Sequence, residues 1–126
     1  GLLRCGEITG ESLDAFLETV KTNLRCDGLR YVDGGKRVRK VAVGGGSCAG
    51  EMKAALRAGC DTFVTADVKY NQFWDAQDLG LNLIDAGHFP TEDVICPVVC
   101  GYLKKTFPEI ETVKSTLHKE VIQYYM

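Results

Sequence analysis

Apolar residues recur at two spacings along this chain, and the spacing switches several times. Leu13, Phe16, Leu17, Val20 and Leu24 repeat at helical spacing behind Ser12, a good N-cap, and predict a helix to about Leu24 with one buried stripe. Leu29–Val32 reads as a short strand, Asp33-Gly34-Gly35-Lys36 as a turn with hairpin chemistry, and Val38–Val43 as the next strand. A second helix is expected from about Ala49 to Ala58, with Met52, Ala55 and Leu56 inward. Thr62–Thr65 reads as a short central strand. Tyr70, Phe73, Trp74 and Gln77 predict a third helix with an aromatic inner face, and Leu81–Asp85 reads as another strand. A fourth helix is expected over about Thr91–Lys105, burying Val94, Ile95, Val98, Val99, Tyr102 and Leu103. Residues 1–11 read as an irregular lead-in and Ile110–Val113 as a last strand.

Pro97 conflicts with a continuous fourth helix, because a proline inside a helix removes one backbone hydrogen bond and costs about 3 kcal/mol. A kink near Asp93, or a separate first turn carrying Glu92, resolves the conflict. The alternation of strands and helices implies an α/β fold: a layered sheet, largely parallel, flanked by helices, with a hairpin near the start. A chain of 126 residues suits one domain, 1–126, with one core.

Composition narrows the function classes. The net charge of −2 gives no electrostatic case for nucleic acid, and the Lys36-Arg37-Val38-Arg39-Lys40 cluster reads as the solvated face of a strand. No apolar run reaches the length of a membrane span. The six cysteines, with no signal-peptide pattern beside them, are expected as free thiols in a cytoplasmic protein. Cys96 and Cys100 share a helix face and read as small core residues.

Three segments carry candidate chemistry. Val41-Ala42-Val43-Gly44-Gly45-Gly46-Ser47 is a strand running into a glycine loop ahead of a helix. Gly45, Gly46 and Ser47 could present backbone N–H groups to an anion; equally, the loop could be a tight turn that needs positive φ. Gly44, Gly46 and Ala49 match a dinucleotide pattern formally, which alone is weak support. Asp67 and Lys69 follow the central strand, where they could position a substrate or a water, or could cap a helix and face solvent. Gly87-His88-Phe89-Pro90-Thr91-Glu92 follows the apolar strand, and one helical turn would bring His88 and Glu92 to the same side, where imidazole and carboxylate can share a metal ion. On spacing alone His88 is more often a loop or N-terminal helix residue with an ordinary hydrogen bond, since two donors make no cage. His118, the only other histidine, reads as a tail residue.

Taken in order, Val41–Ser47, Ala58–Tyr70 and Leu83–Glu92 resemble the C-terminal half of the NIF-three-like dinuclear metal-centre family, whose members carry the label GTP cyclohydrolase I type-two homologue. The resemblance covers about residues 11–115. It implies one lobe of a two-lobe α/β fold, a paired metal site, and assembly as a ring-shaped hexamer. His88 and Glu92 correspond to metal ligands; the remaining ligands, a His-His pair and an Asp, belong to the N-terminal half. The family commonly has His after the Lys-Tyr pair, where this chain has Asn71. With only His88 and His118 available, the chain is expected to be a half protein that holds metal weakly until another chain or the missing half completes the site.

Two functions follow as expectations. The first is metal-dependent hydrolysis of a nucleotide or phosphorylated metabolite, with two divalent ions (zinc, iron or manganese) per complete site, His88 and Glu92 as ligands, and Asp67 or Lys69 orienting the substrate. The second is a non-catalytic assembly module with a structural or regulatory metal. A third, weaker reading is nucleotide binding through Gly44–Ala49.

Overall fold

A computed structural model describes residues 1–126. Five strands form one sheet: β1 (Arg4–Glu11), β2 (Arg30–Val32), β3 (Val38–Val43), β4 (Thr62–Thr65) and β5 (Asn82–Asp85), in the order β1-β3-β4-β5-β2. The helices are α1 (Leu13–Leu24), α2 (Met52–Arg57) behind a short 3-10 turn at Ala49–Glu51, α3 (Tyr70–Asp78), α4 (His88–Asp93) and α5 (Cys96–Thr106).

The sheet is mixed, which corrects the expectation of a largely parallel one. β3, β4 and β5 run parallel at the centre, whereas β1 pairs with β3 and β2 pairs with β5 in antiparallel fashion at the two edges. The α/β layering itself holds. Side chains alternate across the central strands, so Ala42, Phe63 and Leu83 face α2 and α3 while Val41, Val64 and Ile84 face α1. With both faces covered, the four residues of β4 and the four of β5 are all buried.

The first helix forms as its pattern predicts. Ser12 accepts a hydrogen bond from the Ala15 N–H, and Arg25 closes the helix in the left-handed region. The lead-in, by contrast, is β1. Its Arg-Cys-Gly-Glu-Ile-Thr-Gly-Glu sequence lacks an apolar alternation because almost the whole strand is exposed at the sheet edge, and a bulge between Glu7 and Glu11 breaks its register.

The Asp33–Lys36 turn does not make a hairpin. β4 and β5 lie between β3 and β2, and the turn crosses the start of β5. A Cβ on Gly34 would lie 2.3 Å from the backbone of Leu81, so only glycine permits that crossing. Buried Asn82 secures it by accepting from the Gly34 N–H and donating to the Lys36 carbonyl.

The Pro97 conflict is resolved by a break. α4 stops at Asp93, and Pro97 sits in the first turn of α5, where no helical bond is lost. The expected inner face of this region is not buried: Val94, Ile95, Val98, Val99 and Tyr102 are all exposed, Val98 at 63% and Tyr102 at 64%. Cys96 and Cys100 are half-buried rather than core. In α3 the aromatic inner face is borne out only at Phe73, which is half-buried and packs against the core beside buried Ala76, whereas Tyr70 and Trp74 are exposed. Ile110–Val113 forms no strand; beyond Phe107 the chain is irregular and folds back over α4.

Candidate functional site

The carboxyl ends of β3, β4 and β5 lie side by side, and each feeds one of the three segments singled out by sequence. Their loops are tied together by buried polar groups. The Thr65 hydroxyl donates to the Gly46 carbonyl at 3.1 Å and accepts from the Cys48 N–H at 3.2 Å, while the Ala66 N–H also donates to Gly46 at 3.0 Å. Thr91 closes the circuit. Its hydroxyl accepts from the Gly46 N–H at 2.9 Å and donates to the Gly87 carbonyl at 2.8 Å.

Asp85 is the second tie. Its carboxylate is buried, accepts from the Val68 and Gly87 N–H groups at 3.0 Å each, and pairs with Arg30. One side chain therefore anchors the loop that carries Asp67 and the turn that carries His88. Arg30 also donates to the Val68 carbonyl and stacks over the Phe73 ring. Sequence reasoning passed over Asp85, Arg30 and Thr91. An acid closing an otherwise apolar strand was the available signal, because a buried carboxylate must find several donors.

Gly87, at φ +86°, turns the chain sharply out of β5 and starts α4. His88 and Glu92 then stand one helical turn apart, with the imidazole Nε2 3.2 Å from a Glu92 carboxylate oxygen. The other ring nitrogen, Nδ1, lies 2.6 Å from a carboxylate oxygen of Asp67, itself held at φ +52°. All three side chains are about half exposed, at 51% for Asp67, 47% for His88 and 56% for Glu92. The hydrogen bond to Asp67 raises the His88 pKa above its ordinary value, and the Glu92 charge adds to the rise.

The glycine loop borders this cluster. A Cβ on Gly46 would lie 2.4 Å from a Glu92 oxygen and 3.2 Å from His88 Nε2; one on Gly45 would strike the Thr91 carbonyl at 2.8 Å. Gly46 thus leaves clear the space in front of the two donor atoms. Its own N–H is committed to Thr91, and the helical turn after the loop is only three residues long. Ser47 is exposed. Lys69 is placed differently from the rest of the set: its backbone starts α3, and its exposed side chain makes no hydrogen bond or ion pair.

A cleft of about 910 Å³ opens over His88 and Glu92, walled on one side by residues 117–122. His118, read from sequence as a tail residue, lies in that wall with its ring 5.3 Å from the Phe89 ring. Lys119 lines the same wall, and Lys114 fastens the segment to Asp93 at 2.9 Å. No local pattern marks this placement, because it arises from long-range packing of irregular chain.

The donor chemistry suits a divalent transition metal, one imidazole nitrogen and one carboxylate side by side in the cleft. Nowhere, however, do three or more His, Cys, Asp or Glu side chains form a group able to hold an ion.

Comparison with known proteins identifies the scaffold. A Nostoc protein named GTP cyclohydrolase 1 type 2 homolog is 38% identical over 88 residues, 68% of this chain and 34% of that protein. The crystal structure of a Staphylococcus aureus hypothetical protein superposes with a TM-score of 0.89 at 30% identity, covering 99% of this chain and 43% of that one. A Bacillus cereus protein related to NIF3 superposes with a TM-score of 0.82 at 31% identity, covering 99% of this chain and 36% of that one. The chain thus spans about a third of the curated relative's length. No helix is long and apolar enough to cross a membrane. The family model for Duf34/NIF3 (NGG1p interacting factor 3) matches residues 1–121, and the chain belongs to that family.

Proposed function

We propose that this domain contributes half of a dinuclear metal site in a metal-dependent hydrolase acting on a nucleotide or phosphorylated metabolite. The observation that carries the reading is the convergence of His88 Nε2 and the Glu92 carboxylate on a space that Gly46 keeps clear. Two donors are too few for a stable site, so the remaining ligands must come from the rest of the protein or from another chain. Zinc, iron and manganese all suit a nitrogen and carboxylate set. Bound there, the ions would supply Lewis acidity for attack by water on the substrate.

The chain's own residues prepare that chemistry. Asp67 accepts from the Nδ1–H of His88, which orients the ring with Nε2 toward Glu92, and an ion bound there would displace the proton that the metal-free ring shares with Glu92. Asp85 and Thr91 hold together the loops that carry the ring and the carboxylate. Lys119 in the cleft wall gives an anionic substrate a positive contact. The names of the relatives, GTP cyclohydrolase 1 type 2 homolog, agree with a nucleotide substrate.

Metal content decides the reading. This chain alone should retain less than a tenth of an equivalent of zinc or manganese after dialysis. A longer protein that supplies the other ligands should retain stoichiometric metal and lose at least tenfold affinity for it in His88→Ala or Glu92→Ala. Unchanged metal in the His88→Ala protein would overturn the ligand assignment.

The apolar surface of α5 supports a second reading, an assembly module with a structural or regulatory metal. Under it, light scattering should find a homo-oligomer, up to the ring hexamer, whose assembly depends on metal while no nucleotide is turned over.

A further inference from the structure

We propose that Cys5 and Cys60 form a peroxide-responsive thiol pair that closes to a disulfide and staples the edge strand β1 to the turn before β4. The Sγ atoms lie 3.4 Å apart although the residues are 55 positions distant in sequence. Cys5 is exposed on the outer strand, so an oxidant reaches it directly. Cys60 is buried, at 4% exposure, in the cluster that contains Ala42, and Ala42 is the residue opposite Cys5 in the β1–β3 ladder. Both thiols therefore belong to the same face of the sheet. Of the other four cysteines, Cys26 and Cys48 donate to backbone carbonyls.

The chemistry closes with hydrogen peroxide or an alkyl hydroperoxide as oxidant. The Cys5 thiolate attacks a peroxide oxygen; an S–O bond forms, the O–O bond breaks, and the leaving oxygen takes up a proton. The Cys60 thiol then loses its proton and its sulfur attacks the Cys5 sulfenic acid. The S–S bond forms, the S–O bond breaks, and hydroxide leaves as water. Two thiols have lost two electrons, which have reduced the peroxide. Bond formation needs the sulfurs to close by about 1.4 Å. Burial, reinforced by the contact with Cys5, pushes the Cys60 thiol up to about 11, so Cys60 serves as the resolving partner and the second step speeds up with rising pH.

The staple has a structural reach. Leu3, two residues before Cys5, lies so close over Gly44 that a Cβ there would meet it at 2.6 Å. Fixing β1 therefore also fixes the flank of the glycine loop.

The folded chain, treated with a few equivalents of hydrogen peroxide, blocked with an alkylating agent and digested without reductant, should yield one linked peptide, Cys5–Cys60, with the other four cysteines alkylated. The Tm should rise by roughly 5 °C or more and return on reduction. In Cys60→Ser the oxidation should stop at a Cys5 sulfenic acid that dimedone captures. Cys5 left unreacted, Cys5 driven to sulfinic acid with Cys60 still reduced, or Cys5 joined to a different cysteine would each overturn the proposal. Mapping of the unaltered chain suffices if the variant does not fold.

Discussion

The strand ends of β3, β4 and β5 and the helix α5 carry similar amounts of apolar sequence yet meet opposite fates. Phe63, Val64, Leu83 and Ile84 are buried between α1 and the α2–α3 layer. Val98, Val99 and Tyr102 stay in water although they repeat at helical spacing. Periodicity states that a face is suited to burial; it does not say what will bury it. The strands find their cover within this chain. In α5 only Cys96, Cys100 and Leu103 are half-buried, and the rest of its apolar face stays uncovered within this chain.

Parallel alanine substitutions give this contrast its largest test. Leu83→Ala removes a side chain with no exposure and should destabilise the chain by about 2–5 kcal/mol in denaturant unfolding. Val98→Ala should change stability by no more than about 0.5 kcal/mol while reducing self-association in sedimentation or light scattering. Equal losses at the two positions would mean that α5 is packed within the isolated chain.

Asp85 sharpens the comparison from the polar side. It is a buried carboxylate whose partners are in the chain, as the apolar residues of the strand ends are. Asp85→Ala should cost about 2–3 kcal/mol, because the Val68 and Gly87 N–H groups lose their acceptor inside the protein. Asp85→Asn, which keeps an acceptor, should cost less. NMR of the His88 ring reads the second effect: both variants should loosen the Asp67–His88 contact, since Asp85 holds each of their loops. A His88 signal unmoved in Asp85→Ala would show that the turn is held by other means.

What was legible in the sequence follows the same division. Ser12, the stripe from Leu13 to Leu24 and the apolar strands report their structure because each pattern is satisfied by neighbours a few residues away or by a fully covered sheet. The glycine loop, Asp67 and His88 were legible as strand-end segments because parallel central strands bring their carboxyl ends together. β1 was not, since an exposed edge strand with two glycines needs no apolar alternation. The supposed hairpin failed because Asn82 and the backbone of Leu81 hold Gly34 across the sheet, a long-range contact that a short turn pattern cannot report. His118 entered the cleft wall by the same kind of contact.

Glycine substitutions separate backbone strain from the clearance proposed for the metal. Gly46→Ala and Gly35→Ala both place alanine at positive φ, +66° and +77°, so each should cost about 1–2 kcal/mol in stability. A Cβ on Gly35 meets nothing within 4 Å, whereas one on Gly46 displaces the Glu92 carboxylate. Only Gly46→Ala should therefore weaken metal binding in a protein with the full ligand set, by tenfold or more. Comparable weakening in Gly35→Ala would remove the argument from clearance.

The smallest effect is in the pH dependence, where stability and metal binding should move in opposite directions. Asp67 and Glu92 favour the charged imidazole, so the folded-state pKa of His88 lies above its ordinary 6.5. That stabilisation is complete below about pH 6.5 and is lost as pH rises through the raised folded value. Its size is small, since all three side chains are about half exposed and screened by solvent. The Tm difference between the metal-free wild type and His88→Asn should accordingly shrink from pH 6 to pH 8. Metal must displace the same proton, so the affinity of the complete site should instead grow over that window, approaching tenfold per pH unit below the His88 pKa. A Tm difference that widened with pH would mean that the imidazole is held neutral by its neighbours, and the Asp67–His88–Glu92 arrangement would then have to be understood without a charged ring.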